Sequence, residues 1–113
     1  MIEENIIDAP ADEALYHLKR SLNGYRYNWE RIYIGVTAWP EDRWDQHLDR
    51  DDGWEKMVLL YDAWSTPIAE ELERALIKYA RECRFKVSIE NIRDGGESLS
   101  RTRKNHFLYV LVG

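Results

Sequence analysis

Four side chains in this sequence, Tyr33, Arg43, His47 and Glu73, are of types that can act on a phosphodiester, and Gly35 lies beside the first of them. Arg43 and His47 are four positions apart, so a helix would present them on one face. Arginine offers phosphate a planar fork of donors, and histidine can hold or pass a proton near neutral pH. Gly35 follows Tyr33 by two positions in an alternating segment, where a glycine marks close approach of another backbone or a ligand. Glu73 interrupts an otherwise apolar helical stripe. Removing an ionised carboxylate from water costs several kcal/mol unless a cation or donors compensate it. Either something binds there or that turn has a wet edge, and the helix alone leaves both open. The set suggests phosphodiester chemistry with a single metal ion. Each member also has a plain structural use: Tyr33 as sheet packing, Arg43 and His47 as a helix-surface pair, and Gly35 as a bulge.

The elements that must position these residues follow from local patterning. Arg31 to Thr37 alternates, with Ile32, Ile34 and Val36 on one face and Tyr33, Gly35 and Thr37 on the other, which predicts a strand. Pro40 to Arg50 reads as a short helix anchored by Trp44 and Leu48. Lys56 to Ala63 reads as a strand. Thr66 to Arg84 reads as an amphipathic helix, with Thr66 as cap and Pro67 in its first turn. Ile68, Ala69, Leu72, Ala75, Leu76, Ile77, Tyr79 and Ala80 share its apolar arc, and Glu73 falls between Ile77 and Ala80. Phe85 to Ile89 reads as a short strand, Arg93 to Lys104 as a loop, and Phe107 to Val112 as a closing strand apolar on both faces. Asp12 to Leu22 has two readings. Leu15, Leu18 and Leu22 have helical spacing, with Asp12 to cap and Asn23-Gly24 to stop it. Alternatively, Ala14 to Lys19 forms a first strand, followed by a long hairpin loop, and this is the preferred reading.

These elements predict an α+β fold: a small central sheet of three or four strands, mixed or antiparallel, flanked by helices. With 113 residues, the chain fits one domain from residue 12 to 113, after a flexible lead-in over Met1 to Ala11. No apolar run is long enough for a membrane span, and the acidic start does not resemble a signal peptide. Cys83 is the single cysteine, so no disulfide forms within the chain, and a reducing cytoplasm is expected. The net charge of −5 opposes non-specific attraction to phosphate, so any nucleic-acid contact must come from local patches. Lys19, Arg20, Arg26 and Arg31 form one such group, and Arg101, Arg103 and Lys104 another.

The order Tyr33-Ile34-Gly35-Val36-Thr37, then Arg43 with His47 four residues on, then Glu73 in a helix, resembles the GIY-YIG endonuclease family. Asn91, Gly95-Gly96-Glu97 and the strand Phe107-Leu108-Tyr109-Val110 extend the resemblance over roughly Ala14 to Val112. It implies that Glu73 is the one protein ligand to Mg²⁺ or Mn²⁺, with water and phosphate oxygens completing the shell of a hard cation. It implies that Arg43 stabilises charge on phosphorus, that His47 assists or orients the nucleophile, that Tyr33 binds or deprotonates the attacking water, and that Asn91 props the loops. Gly35 would be structural at the site. Arg31, Arg101, Arg103 and Lys104 would contact the nucleic acid. The departure is at the first triplet, where Ala14-Leu15-Tyr16 ends 17 positions before Tyr33. Tyr16 on a first strand is the preferred counterpart, and Tyr25 or Tyr27 replaces it if this segment is helical.

The resemblance therefore implies a divalent-metal-dependent endonuclease that hydrolyses DNA by in-line attack of water, with structured RNA as the less favoured substrate. The alternative is a protein that keeps the fold but acts as a binding or regulatory module, as the acidic balance and the lack of an added DNA-binding domain would suit. A third reading, an unrelated α+β domain, requires five ordered matches to coincide. A protein partner or a homodimer would supply specificity.

Overall fold

The computed structural model describes residues 1–82, 88–89 and 105–113. Its elements are β1 (Ile2–Glu4), α1 (Ala11–Asn28), β2 (Arg31–Thr37), α2 (Pro40–Arg50), β3 (Lys56–Ala63), α3 (Thr66–Glu82), β4 (Ser88–Ile89) and β5 (His106–Val112). The described strands form a mixed sheet in the order β1-β3-β5-β2-β4. The α+β class is as expected. The sheet reaches five strands rather than three or four because short strands extend both edges.

β5 lies in the middle because its run from Leu108 to Val112 is unsuited to water. Leu108, Tyr109, Val110, Leu111 and Val112 are all fully buried, and a strand apolar on both faces needs cover on both sides. It runs antiparallel to β2 and to β3, with Gly35 opposite Tyr109 and Tyr33 opposite Leu111. β1 pairs parallel with β3, and β4 parallel with β2.

Alternation sorts the side chains into two layers. Ile32, Ile34, Val36, Leu108, Val110 and Val112 meet Ala14, Leu18 and Leu22 of α1 and Leu72, Leu76 and Ile77 of α3. Tyr33, Tyr109, Leu111, Met57 and Leu59 meet Trp44 and Leu48 of α2, with Trp54 beside them. A bulge between Leu59 and Tyr61 shifts the alternation of β3, so Leu60 and Tyr61 both join the α1–α3 layer. The Tyr61 hydroxyl then donates to the Ala9 carbonyl at 2.8 Å.

Two expectations for the first thirty residues are corrected. Met1 to Ala11 is not a loose lead-in: besides β1, the Asn5 and Ile7 amides bond to the Leu59 and Leu60 carbonyls at 2.9 Å. Ala14 to Lys19 is not a strand but part of α1. The four-residue spacing of Ala14, Leu18 and Leu22 buries one helical face, and Tyr16 is left 64% exposed on the other. Asn23-Gly24 does not stop the helix. The Asn23 side chain accepts from the Tyr79 hydroxyl at 3.1 Å, and the helix continues to Asn28. At the start of α3 it is Ser65, not Thr66, whose hydroxyl accepts from a helix amide, that of Ile68 at 3.3 Å. Among the described residues, no helix is long and apolar enough to cross a membrane.

Gly24 lies inside α1 with nothing within 4 Å of where a Cβ would stand. Gly24→Ala is therefore expected to stabilise the protein by about 0.5–1 kcal/mol, read from urea unfolding midpoints.

Candidate functional site

α2 begins with Pro40 in its first turn and is held to the sheet by Trp44 and Leu48, one helical turn apart. On the adjoining arc, Arg43 and His47 reach the same point of the sheet. That point is the phenol of Tyr109. His47 Nε2 lies 2.8 Å from its hydroxyl, and Arg43 Nε donates to the same oxygen at 3.4 Å. Arg43 Nη1 also donates to Gln46 Oε1 at 3.0 Å. Tyr33 completes the group. Its ring meets His47 edge-on at 4.7 Å between centroids and lies nearly parallel to Tyr109 at 6.3 Å.

Gly35 makes this convergence possible. A Cβ there would stand 2.5 Å from Tyr109 Cζ, so the Tyr109 ring takes the space a side chain would fill. The close approach expected at Gly35 is that of a neighbouring strand's phenol.

Donor and acceptor chemistry limits the roles within the cluster. Arginine can only donate, so the Tyr109 oxygen accepts from Arg43. A neutral imidazole suits this contact in either tautomer, its Nε2 accepting from the phenol or donating to it. Electrostatics agree. Burial first, and then the positive charges of Arg43 and Arg50, pull the His47 pKa down from 6.5 to about 4. At neutral pH the site thus holds a buried guanidinium next to a neutral imidazole, with the half-buried Tyr33 as its more open side. Such a group can stabilise an anion and accept a proton.

The structure brings together Tyr33, Gly35, Arg43 and His47 from the expected set. Tyr16 is excluded from the cluster because it stands on the solvent side of α1, its ring against His17. Tyr27 is likewise exposed, and the Tyr25 hydroxyl accepts from Asn5 Nδ2 at 3.4 Å. Arg31 is paired with Asp51 and its guanidinium lies 4.1 Å from the Trp54 ring centre, which gives it a structural task. Glu73 is 7% exposed, on the buried side of α3 with Ala69, Leu72, Leu76 and Ile77. It does not stand without partners. α3 covers the sheet face opposite α2, so Glu73 belongs to the other layer from the Tyr109 cluster. Asn91, Arg101, Arg103 and Lys104 lie outside the described residues. Among the described residues, no group of three or more His, Cys, Asp or Glu could hold a metal ion.

Tyr109 was not anticipated as a site residue. Its signal lay in the pairing of a strand glycine with the one polar-tipped residue among Leu108 to Val112, which becomes visible only once the register is known. Comparison with protein-family models, curated proteins and solved structures gave no match.

The neutral state of His47 has a consequence for stability. Its folded pKa lies below its unfolded value, so as pH falls from about 6.5 to about 4 the unfolded chain takes up the proton first. Stability present above that window is lost within it, by at most about 3 kcal/mol. Urea unfolding at pH 7.5, 5.5 and 4.5 should show this extra decline in the wild type and not in His47→Gln; parallel pH profiles would refute it.

Proposed function

We propose that the chain is a phosphodiester hydrolase of the GIY-YIG type acting on DNA, with Tyr33, Arg43, His47 and Tyr109 as its reacting group. The supporting observation is the meeting of Arg43 and His47 on the Tyr109 hydroxyl, beside Tyr33. The resemblance calls for a second tyrosine on a strand next to the Tyr-Ile-Gly strand. Tyr16, on a helix, cannot provide it, whereas Tyr109 stands on β5, hydrogen-bonded along β2. On this reading Tyr109 takes the place the resemblance gave to Tyr16.

The chemistry would run as follows. A water oxygen forms a bond to phosphorus as the bond to the leaving alcohol oxygen breaks. The Arg43 guanidinium offsets the negative charge that grows on the phosphoryl oxygens. The Tyr109 hydroxyl takes the water proton as it passes its own to Nε2 of neutral His47, and a proton from solvent completes the leaving alcohol. Tyr33, the half-buried member, orients the water.

The resemblance also assigns Mg²⁺ or Mn²⁺ to Glu73, where the ion would supply charge neutralisation. The donor is of the right kind, an oxygen, but it is a single carboxylate in the layer across the sheet. Glu73 and the Tyr109 cluster do not form one metal site, and no step above uses an ion.

A second reading, a binding or regulatory module on the same fold, is favoured by charge. Residues 41–55 carry seven acidic and two basic side chains, so the α2 side of the molecule repels phosphate. The two readings separate on supercoiled plasmid incubated with Mg²⁺ or Mn²⁺. Under the hydrolase reading the wild type nicks the plasmid, and Arg43→Ala lowers turnover by about two orders of magnitude or more, with a smaller change in DNA binding. Tyr109→Phe reduces nicking while Tyr16→Phe leaves it unchanged. A wild type that binds a partner but never nicks establishes the second reading.

A further inference from the structure

A cavity of about 500 Å³ opens where the start of α2 faces the edge of the sheet, in the layer that also holds Tyr109. Its apolar walls are Ile2, Trp39, Pro40, Leu59 and Phe107, and three carboxylates, Glu4, Glu41 and Asp42, stand around it. The volume lies within the range of about 300–1,000 Å³ usual for ligand sites. None of the three carboxylates forms an ion pair among the described residues. Their charge is therefore not offset within the described chain, and Asp45 and Asp49 continue it along α2.

These observations select the occupant by chemistry. Three carboxylates with no ion-pair partner among the described residues repel phosphate. Among the described residues no group of three or more His, Cys, Asp or Glu could hold a metal ion. Apolar and aromatic walls under a rim of negative charge suit a side chain with a long apolar stem and a cationic head. Trp39, 42% exposed, offers a ring face for such a stem or cation. The shape adds a second constraint. Ile2 and Glu4, two apart on β1, line the groove together, and β1 is the outermost strand on its side of the sheet. An extended backbone can lie along such an edge and project alternate side chains inward.

We propose that the groove between β1 and the start of α2 docks an extended segment of a partner protein, with an arginine or lysine seated among Glu4, Glu41 and Asp42 against Trp39. This interaction does not depend on phosphodiester cleavage. Tyr33, Arg43, His47 and Tyr109 are not among the residues lining it, so a partner could engage it with the Tyr109 cluster left intact.

The test is to pan a random heptapeptide library displayed on phage against the full chain and to measure the selected peptides by calorimetry. The expected binders carry arginine or lysine next to a large apolar residue. Their affinity should fall about tenfold or more in Glu41→Gln/Asp42→Asn and in Trp39→Ala, as truncation at a docking centre does. It should also weaken as salt rises from about 50 mM to about 300 mM, because rim charges are screened. Peptides with glutamate in place of the cations should not bind, and a DNA duplex should not displace the selected ones. Absence of enrichment over the Glu41→Gln/Asp42→Asn protein, equal affinity for wild type and that surface variant, or displacement by DNA would overturn the proposal. Plasmid nicking is not read in any of these arms, so the hydrolase reading stands or falls separately.

Discussion

The contact on which one side of the molecule depends is the hydrogen bond between the Tyr109 hydroxyl and His47. A buried hydroxyl or imidazole without a partner costs about 1–3 kcal/mol, and here each satisfies the other. Arg43 enters as a third member that can only donate, so the phenol oxygen accepts from it. Room for the phenol comes from the missing side chain at Gly35, and the register of two strands places one opposite the other. Loss of that register would remove the cluster as a unit.

α2 consequently works in two directions. Its buried arc carries Trp44, Arg43 and His47 inward to the sheet, while its first turn and outer arc carry Glu41, Asp42, Asp45 and Asp49. Negative side chains near a helix N-terminus are favourable to the helix itself, so Glu41 and Asp42 stabilise the element that holds the cluster. The same residues set the electrostatic character of the surface around it. A buried cationic site beneath an acidic exterior favours a substrate or partner whose approach does not depend on broad phosphate attraction.

What could be read from residues alone was what short-range rules govern. β2, α2 and β3 begin and end where alternation, Pro40 and the apolar run Met57 to Tyr61 place them, because each pattern is complete within its own segment. Glu73 was correctly placed on the buried side of α3 for the same reason. The misreadings involve partners distant in sequence. β1 is too short to announce itself and exists by pairing with Met57, Val58 and Leu59. Asn23-Gly24 looks like a stop, yet Tyr79 on α3 bonds Asn23 and the helix runs on. Tyr109 looked like one more residue of an apolar strand. Its role required knowing that β5 pairs with β2, which no periodicity within either strand reveals.

The position of β5 also affects how the fold is reached. The strand at the heart of the sheet is the last of the five along the chain, and β2 and β3 do not pair with each other, since both pair with β5. Until residues 106–112 arrive, two strong apolar strands expose bare edges of the kind that recruits other chains. Folding therefore waits on a distant segment sliding between elements already made, a high-contact-order event that slows assembly. Growing chains that stall before this segment would be the most prone to stick to one another, so this architecture places a burden on synthesis that the finished molecule no longer shows.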